Sequence, residues 1–316
     1  MGVVAGLKAR CAVALLCLGL SSCASGDKVD SGFDTKVTSP AYATDGPRVL
    51  FDEAHHNGHT AQKSYRPFAR LIASDGYRVE RNRSTLTAEV LKPFAVLISA
   101  NAQGDNERND DPAFTEAECD AIRDWVEGGG SLLLITDHYP VGHANERLAS
   151  RFGVSQSMGS VEDPVAYEKT FEPTHLVFSR ENGGLADHPI VYGRNEAERI
   201  HRVMTFTGQA IHAEAPAVGF LKLLPTALAR PPEPKVERRG RDVIVNVLYG
   251  DPVPVPGWSQ GLALELGRGR VVVLGEAAML TARFSGYDGR PIGMNTPGYD
   301  NRQLALNIMR WLSRAS

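Results

Sequence analysis

Acidic and imidazole side chains concentrate in one short stretch of the chain, residues 52–59, with the sequence DEAHHNGH. A second acid–histidine pair, Asp137 and His138, directly follows the apolar run LLLIT. Imidazole and carboxylate groups are the usual protein ligands of zinc and similar ions. A carboxylate that is oriented by a histidine can equally serve as a general base without a metal. The residue types therefore predict a metal site or an acid–base site, provided that the fold brings the two stretches together.

The apolar run Leu132–Thr136 predicts the central strand of a parallel sheet. Its residues show no alternation of polarity, and glycines and a proline bound it, as in a strand that is buried on both faces. The preceding segment TEAECDAIRDWVEGGG predicts a helix that begins at the N-cap Thr115, with Glu118 three residues later as in a capping box. A helix that leads into a buried strand indicates a parallel α/β sheet.

Other apolar runs that end in polar residues predict more strands of this sheet. Pro47–Phe51 precedes Asp52, Ala95–Ala100 precedes Asn101, and a hairpin of 262–266 and 270–274 precedes Glu276. Ligands of open α/β sheets bind beyond the carboxyl ends of the strands. The side chains that we expect at this rim, as candidate catalytic residues, are Asp52, Glu53, His55, His59, Asp137, His138 and Glu276.

A divalent metal is a candidate cofactor for the same rim. Its candidate ligands are His55, His59, Asp137 and His138. The spacing of His55, His56 and His59 matches no common metal motif, and Asp52 or Glu53 could be a base without any metal. A third interpretation is structural, since aspartates at strand ends often cap helices or brace loops.

Helices are also predicted over Gln62–Ser74, Asn145–Phe152 and Asn301–Leu312. Candidate strands in residues 155–260 alternate with proline-rich segments, which we interpret as strands and loops added to the same domain. We therefore expect one α/β domain over residues 47–316.

The N-terminus predicts a lipoprotein signal peptide, residues 1–22. Lys8 and Arg10 precede the apolar run Cys11–Leu20, which is too short to span a bilayer, since a spanning helix needs about 20 residues. The sequence LSSC, which ends at Cys23, resembles the bacterial lipobox, in which this cysteine becomes lipidated. Ala24 after the cysteine favours the outer membrane, facing the periplasm. The alternative is an ordinary signal peptide that is cut near Ala24.

Composition excludes some classes of function. Removal of residues 1–22, which contain two cations and no acid, changes the formal net charge from -3 to -5 and argues against nucleic acid as a partner. Cys119 would then be the one cysteine that carries no lipid, so no intramolecular disulfide is expected. The polar residues 23–46 predict an extended tether between the lipid and the domain.

Several segments resemble one protein family: FDEAHHNGHT, GGGSLLLITDH, DHPIVYGR, GEAAML and DNRQLALNIMRWL. They are similar to an uncharacterised bacterial domain in the class I glutamine amidotransferase-like superfamily, over about residues 47–314. The resemblance implies a flavodoxin-like three-layer sandwich of the α/β class. Amidotransferases of this superfamily place a cysteine nucleophile on the turn after the central strand, where this chain has Asp137 and His138. Cys119 lies in the preceding predicted helix, so the resemblance does not extend to glutaminase activity.

Two classes of function follow from these observations. The first is a lipid-anchored envelope protein that binds a small-molecule or glycan ligand and acts on it as a hydrolase. The second is a non-catalytic structural or envelope-assembly protein that keeps the amidotransferase-like scaffold. The cluster of histidines and acids favours the first class, and the missing nucleophile favours the second. The fold alone does not choose between them.

Overall fold

The computed structural model describes residues 26–104, 112–239 and 242–315. The fold is mixed α/β with one large sheet. The strands are β1 Lys28–Val29, β2 Arg48–Asp52, β3 Arg78–Asn82, β4 Val96–Ala100, β5 Ser131–Ile135, β6 Ser155–Gln156, β7 Ser160–Glu162, β8 Val177–Ser179, β9 Arg202–Met204, β10 Ile211–His212, β11 Val218–Lys222, β12 Leu228–Arg230, β13 Pro232–Arg239, β14 Asp242–Tyr249, β15 Val253–Pro254, β16 Ser259–Leu266, β17 Gly269–Leu274, β18 Ala282–Phe284 and β19 Pro291–Gly293. The helices are α1 Arg66–Ser74, α2 Ala88–Leu91, α3 Glu116–Glu127, α4 Val141–Ser150, α5 Pro189–Tyr192 and α6 Asn301–Leu312.

The central sheet has nine strands within the described residues, in the order β3-β2-β4-β5-β17-β16-β10-β6, with β11 also paired to β16. Its first five strands run parallel to one another. The predicted central strand is β5, whose five residues are all buried between β4 and β17. The predicted hairpin is β16 and β17, which pair in antiparallel register. The carboxyl ends of β2, β4, β5 and β17 therefore meet at one edge.

Successive residues of the parallel strands belong alternately to two hydrophobic clusters. Leu133 and Ile135 lie in a cluster that includes residues of α1 and α6. Leu132 and Leu134 lie in a second cluster with residues of α2, α3 and α4. Because neighbouring residues of a strand point to opposite faces, helices cover both faces of the parallel part of the sheet.

Helices α3 and α6 begin where the sequence predicts, whereas α4 spans Val141–Ser150 and not the predicted Asn145–Phe152. The capping box at Thr115 is confirmed, because its hydroxyl accepts from the backbone N–H of Glu118 at 3.2 Å and its own N–H donates to the Glu118 carboxylate at 3.0 Å. Helix α6 has the predicted limits. Helix α1 begins at Arg66 and not at Gln62, since Pro67 has no N–H to donate and so occupies its first turn.

Smaller sheets surround the central one. Among the described residues, β15-β12-β7 and β1-β18-β19 are three-stranded, and β8-β9 and β13-β14 are two-stranded. Residues 155–260 therefore contain strands and loops, as the sequence predicted, and several of these strands extend the central sheet itself through β16.

The segment before the domain differs from an extended tether. Strand β1 pairs with β18, and Phe33, Val37 and Tyr42 pack against the core. The backbone N–H of Ala41 donates to the Asp75 carboxylate at 2.8 Å. Residues 26–46 lie on the domain because these three apolar side chains, spread through a polar segment, are partly buried against its core. Cys23 and the predicted signal peptide lie outside the described residues, and in the described part no helix is long and apolar enough to cross a bilayer.

Candidate functional site

The turn after β5 carries a hydrogen-bonded acid–histidine pair. The Nδ1 atom of His138 lies 2.5 Å from Oδ1 of Asp137, and the backbone N–H of His138 donates to the same oxygen at 2.8 Å. Burial disfavours both charges, but each charge stabilises the other. The pKa of Asp137 is therefore lowered and the pKa of His138 is raised. Because the His138 side chain is 35% exposed and its Nδ1 is occupied, Nε2 is the ring nitrogen that can meet a ligand.

Glu276 lies beside this turn, just after the end of β17, where Leu274 pairs with Ile135 of β5. Its side chain is fully buried and accepts hydrogen bonds from the backbone N–H groups of Ala278 at 2.6 Å and Met279 at 2.8 Å. Burial, and then the negative charge of Asp137, raise the pKa of Glu276 well above its ordinary value. The negative charge of Asp137 therefore opposes ionisation of Glu276, and the pKa values of the two carboxyl groups move in opposite directions.

His59 belongs to the same electrostatic environment. Its Nδ1 lies 2.6 Å from the Ser64 hydroxyl, and its ring packs against Tyr65 with the ring centroids 4.7 Å apart. Burial and then the positive charge of Arg283 lower the pKa of His59 to about 4, against the opposing effect of Asp137. His59 is therefore neutral at physiological pH.

Tyr65 and Arg283 were not predicted from the sequence. The Tyr65 hydroxyl donates to the carbonyl of Ala277 at 2.6 Å, and burial followed by the charges of Glu276 and Asp137 raises its pKa. Arg283 lies on β18, which no local pattern of the sequence places near β5. A tyrosine in a turn and an arginine on a short strand carry no signal of their own, so only the fold reveals them.

His55 lies in a separate buried network. Its Nδ1 is 2.9 Å from both carboxylate oxygens of Asp52, and its Nε2 is 2.9 Å from Oε1 of Glu118. Burial opposes the charged imidazole, but the two carboxylates outweigh it and raise the pKa of His55. Asp52 also accepts from the Ser99 hydroxyl at 3.1 Å. Both ring nitrogens of His55 are therefore engaged away from the β5 turn, and the described residues show no bond from His55 to Asp137 or His138.

Glu53 braces the outer edge of the sheet. Its carboxylate accepts from the backbone N–H of Ala61 at 3.1 Å and from Nε of Arg81 at 2.7 Å. Arg81 lies on β3, and β4 separates β2 from β5. Strand order therefore explains why Asp52, Glu53 and His55 do not reach the β5 turn, while His59, further along the loop, lies in its electrostatic environment.

The candidate metal ligands do not converge. In the described ranges, no group of three or more His, Cys, Asp or Glu side chains is arranged to hold a metal ion. His55 has both ring nitrogens bonded to carboxylates, and Asp137 is bonded to His138. These donors therefore do not fit a metal site as they are arranged here.

Two buried amide oxygens near the turn lack a hydrogen-bond partner among the residues that the structure describes. They are Oδ1 of Asn101, which follows β4, and Oδ1 of Asn145 on α4. Asn101 is tied to β5, because its backbone N–H donates to the carbonyl of Ile135 at 2.9 Å, and Asn145 donates its amide to the carbonyls of Ala102 and Val141 at 2.8 Å. An unpaired buried acceptor costs about 1–3 kcal/mol, so each oxygen is a place for a donor from water or a ligand.

No family model matches this chain, and no curated protein matches it. Among solved structures, the N-terminal domain of mmIFT52 is similar with a TM-score of 0.57 and 16% identity, over 84% of this chain and 97% of that domain. A cytoplasmic protein from Salmonella typhimurium LT2 has a TM-score of 0.44 and 12% identity, over 85% of this chain and 98% of its own. A ThuA-like protein from Bacteroides uniformis has a TM-score of 0.38 and 12% identity, over 90% and 95%. At these identities the likeness concerns the fold alone.

Proposed function

We propose that this chain is a lipid-anchored envelope protein whose α/β domain binds a small polar or carbohydrate-like ligand at the carboxyl ends of β4, β5 and β17, and hydrolyses it. The observation that carries this proposal is the coupled pair Asp137 and Glu276 at neighbouring strand ends, whose pKa values are moved in opposite directions. Carboxyl groups whose environments push their pKa values apart are the usual arrangement for acid–base work.

The proposed fold is a flavodoxin-like three-layer sandwich of the amidotransferase-like type. Support comes from the parallel strands β3-β2-β4-β5-β17, from the helices that contribute to a hydrophobic cluster on each face, and from the position of Asp137 on the turn after the central strand. Ligands of such sheets bind at this edge.

The proposed chemistry uses His138 as the proton donor. Asp137 orients its imidazole and raises its pKa, so that Nε2 carries a proton that it can transfer to a leaving group. A water molecule then replaces the leaving group and returns a proton to Nε2.

Glutaminase activity is not part of this proposal. Asp137 and His138 occupy the turn that would hold a nucleophilic cysteine. Cys119 is fully buried in α3, and burial raises the pKa of its thiol to about 11. A thiol that stays protonated and shielded is a poor nucleophile.

A second candidate is a non-catalytic structural or envelope-assembly protein. One observation favours it: both carboxylate oxygens of the fully buried Glu276 are bonded to backbone N–H groups, so this side chain braces the turn that follows β17. The two candidates differ in whether the β5 turn recognises a ligand.

Ligand binding and turnover by the mature protein in detergent test the proposal. We expect a screen of saccharides and of generic ester, phosphate and glycoside substrates to yield a ligand whose binding is lost in His138→Gln. His143→Gln is the matched control, because His143 is a 40% exposed histidine on the next helix, α4. Equal binding by wild type and His138→Gln would refute the site, and the absence of any ligand would favour the non-catalytic candidate. Elemental analysis of the same sample measures bound metal directly.

The lipid anchor has its own test. We expect the mature protein to begin at an acylated Cys23 and Cys23→Ser to leave the membrane fraction. Unmodified Cys23 in the mass spectrum, with unchanged fractionation of Cys23→Ser, would contradict it.

A further inference from the structure

A short loop after β18 holds an aromatic ring out in solvent. We call residues 284–290 the aromatic loop. Within the described residues, Tyr287 is the most exposed large hydrophobic side chain at 99%, and Phe284 is 39% exposed. The loop is closed by hydrogen bonds from the N–H of Ser285 to the carbonyl of Arg290 at 2.8 Å and from the N–H of Gly289 to the carbonyl of Ser285 at 2.9 Å. The exposure of Tyr287 is therefore a feature of an ordered turn.

The turn is also fixed to the body of the domain. Nη1 of Arg290 donates to the carbonyl of Thr170 at 2.7 Å, and its guanidinium lies 3.7 Å from the ring centroid of Phe171. Nε of Arg290 also donates to Asp288 at 2.5 Å, so the acid of the loop is neutralised.

The aromatic loop lies against the first described residues of the chain. Lys28 of β1 is paired with Phe284 of β18, and the N–H of Gly286 donates to the Asp27 carboxylate at 2.8 Å. The backbones of Gly26 and Gly286 approach so closely that a Cβ atom on Gly286 would lie 2.6 Å from Cα of Gly26. Both glycines are thus needed for this contact, and it places residue 26 beside Tyr287.

The lipid proposed at Cys23 must therefore lie close to this loop. Cys23 precedes Gly26 by three residues, which span at most about 11 Å when fully extended. Since residues 26–46 pack on the domain, they add no length to this connection. We propose that the aromatic loop rests on the phospholipid bilayer that holds the acyl chains, with Phe284 and Tyr287 in its interface. This inference depends on the lipid anchor of the proposed function.

The chemistry of the loop suits a bilayer interface. Tyrosine is enriched where its ring reaches the acyl boundary and its hydroxyl stays in water. The two acids of this surface, Asp27 and Asp288, are paired with Arg283 and Arg290, and the exposed Lys28 favours anionic headgroups.

Depth-dependent quenching of tryptophan fluorescence tests the membrane contact. The acylated mature protein with Tyr287→Trp is reconstituted in phospholipid vesicles that contain brominated acyl chains. The matched control is Val253→Trp, because Val253 is 53% exposed on β15 of another sheet, and wild type gives the background of the three native tryptophans. We expect a blue shift and strong quenching of the added fluorescence in Tyr287→Trp, and neither in Val253→Trp.

Two outcomes would overturn the inference while leaving the lipid anchor intact. One is equal quenching of the two variants in vesicles when mass spectrometry shows the lipid on Cys23. The other is a blue shift of Tyr287→Trp that appears in detergent with rising protein concentration, which would identify a second copy of the chain as the occupant of this surface. Absence of lipid on Cys23 would refute the lipid anchor, and it would refute the proposed membrane contact as well.

Discussion

Replacement of His55 by alanine should strongly destabilise the protein, because this histidine joins two buried carboxylates. Asp52 is fully buried and Glu118 is 4% exposed, and each accepts a bond of 2.9 Å from one nitrogen of the ring. A carboxylate acceptor at each nitrogen requires a proton at both, so the ring is an imidazolium. In His55→Ala, two negative charges remain in the interior without the cation between them.

The expected loss of unfolding free energy is about 3–5 kcal/mol, the usual result of removing one partner of a buried ion pair. We expect a loss at the lower end of this range, because both carboxylates keep other hydrogen bonds. Asp52 still accepts from the Ser99 hydroxyl at 3.1 Å, and Glu118 still accepts from the backbone N–H of Leu86 at 3.1 Å. Since folding raises the pKa of His55, its contribution is complete below the ordinary value of 6.5 and is lost as the pH rises through the raised value. The difference between wild type and variant should therefore decrease in alkaline solution.

Urea unfolding followed by circular dichroism, repeated across pH, measures this difference. His56→Asn is the matched control, since His56 is exposed and its positive φ of 51° is tolerated by asparagine. We expect the control to stay close to wild type. A His55→Ala protein as stable as the control would show that the network is not built as described, and would restore His55 as a candidate for the ligand site.

Two further predictions concern protonation and nucleophilicity. Because folding lowers the pKa of His59 from 6.5 to about 4, His59 favours the folded state above pH 6.5, and this contribution, roughly 3 kcal/mol, is lost as the pH falls toward 4. When the free energy of unfolding is measured as the pH falls, His59→Gln should lose less stability than wild type. His188→Gln removes another buried histidine with a pKa lowered to about 4, and it should behave in the same way. A His59→Gln curve parallel to that of wild type would contradict the burial of His59. Finally, no ammonia should be released from glutamine, and release that disappears in Cys119→Ala would refute the assignment of the β5 turn.

Local sequence signals determined the elements of this protein and their order. Consecutive apolar residues marked β5 as a buried strand, and Thr115 with Glu118 marked the start of α3, because a capping box forms between residues three apart. The parallel centre of the sheet followed from helices that alternate with strands. The sequence also pointed to Asp137 and Glu276 at neighbouring strand ends, which the pairing of β5 with β17 brings together.

The tertiary structure decided which polar residues meet. Glu118 caps α3 in the sequence, but in the fold its carboxylate also holds His55, a residue 63 positions away. Strand β4 lies between β2 and β5, so Asp52 and His55 form a buried network of their own while His59 reaches the environment of Asp137. Local periodicity records which face of an element is apolar and not which elements lie side by side. For that reason the partners of His55, the position of Arg283 and the docking of residues 26–46 were decided by the packing of the whole chain.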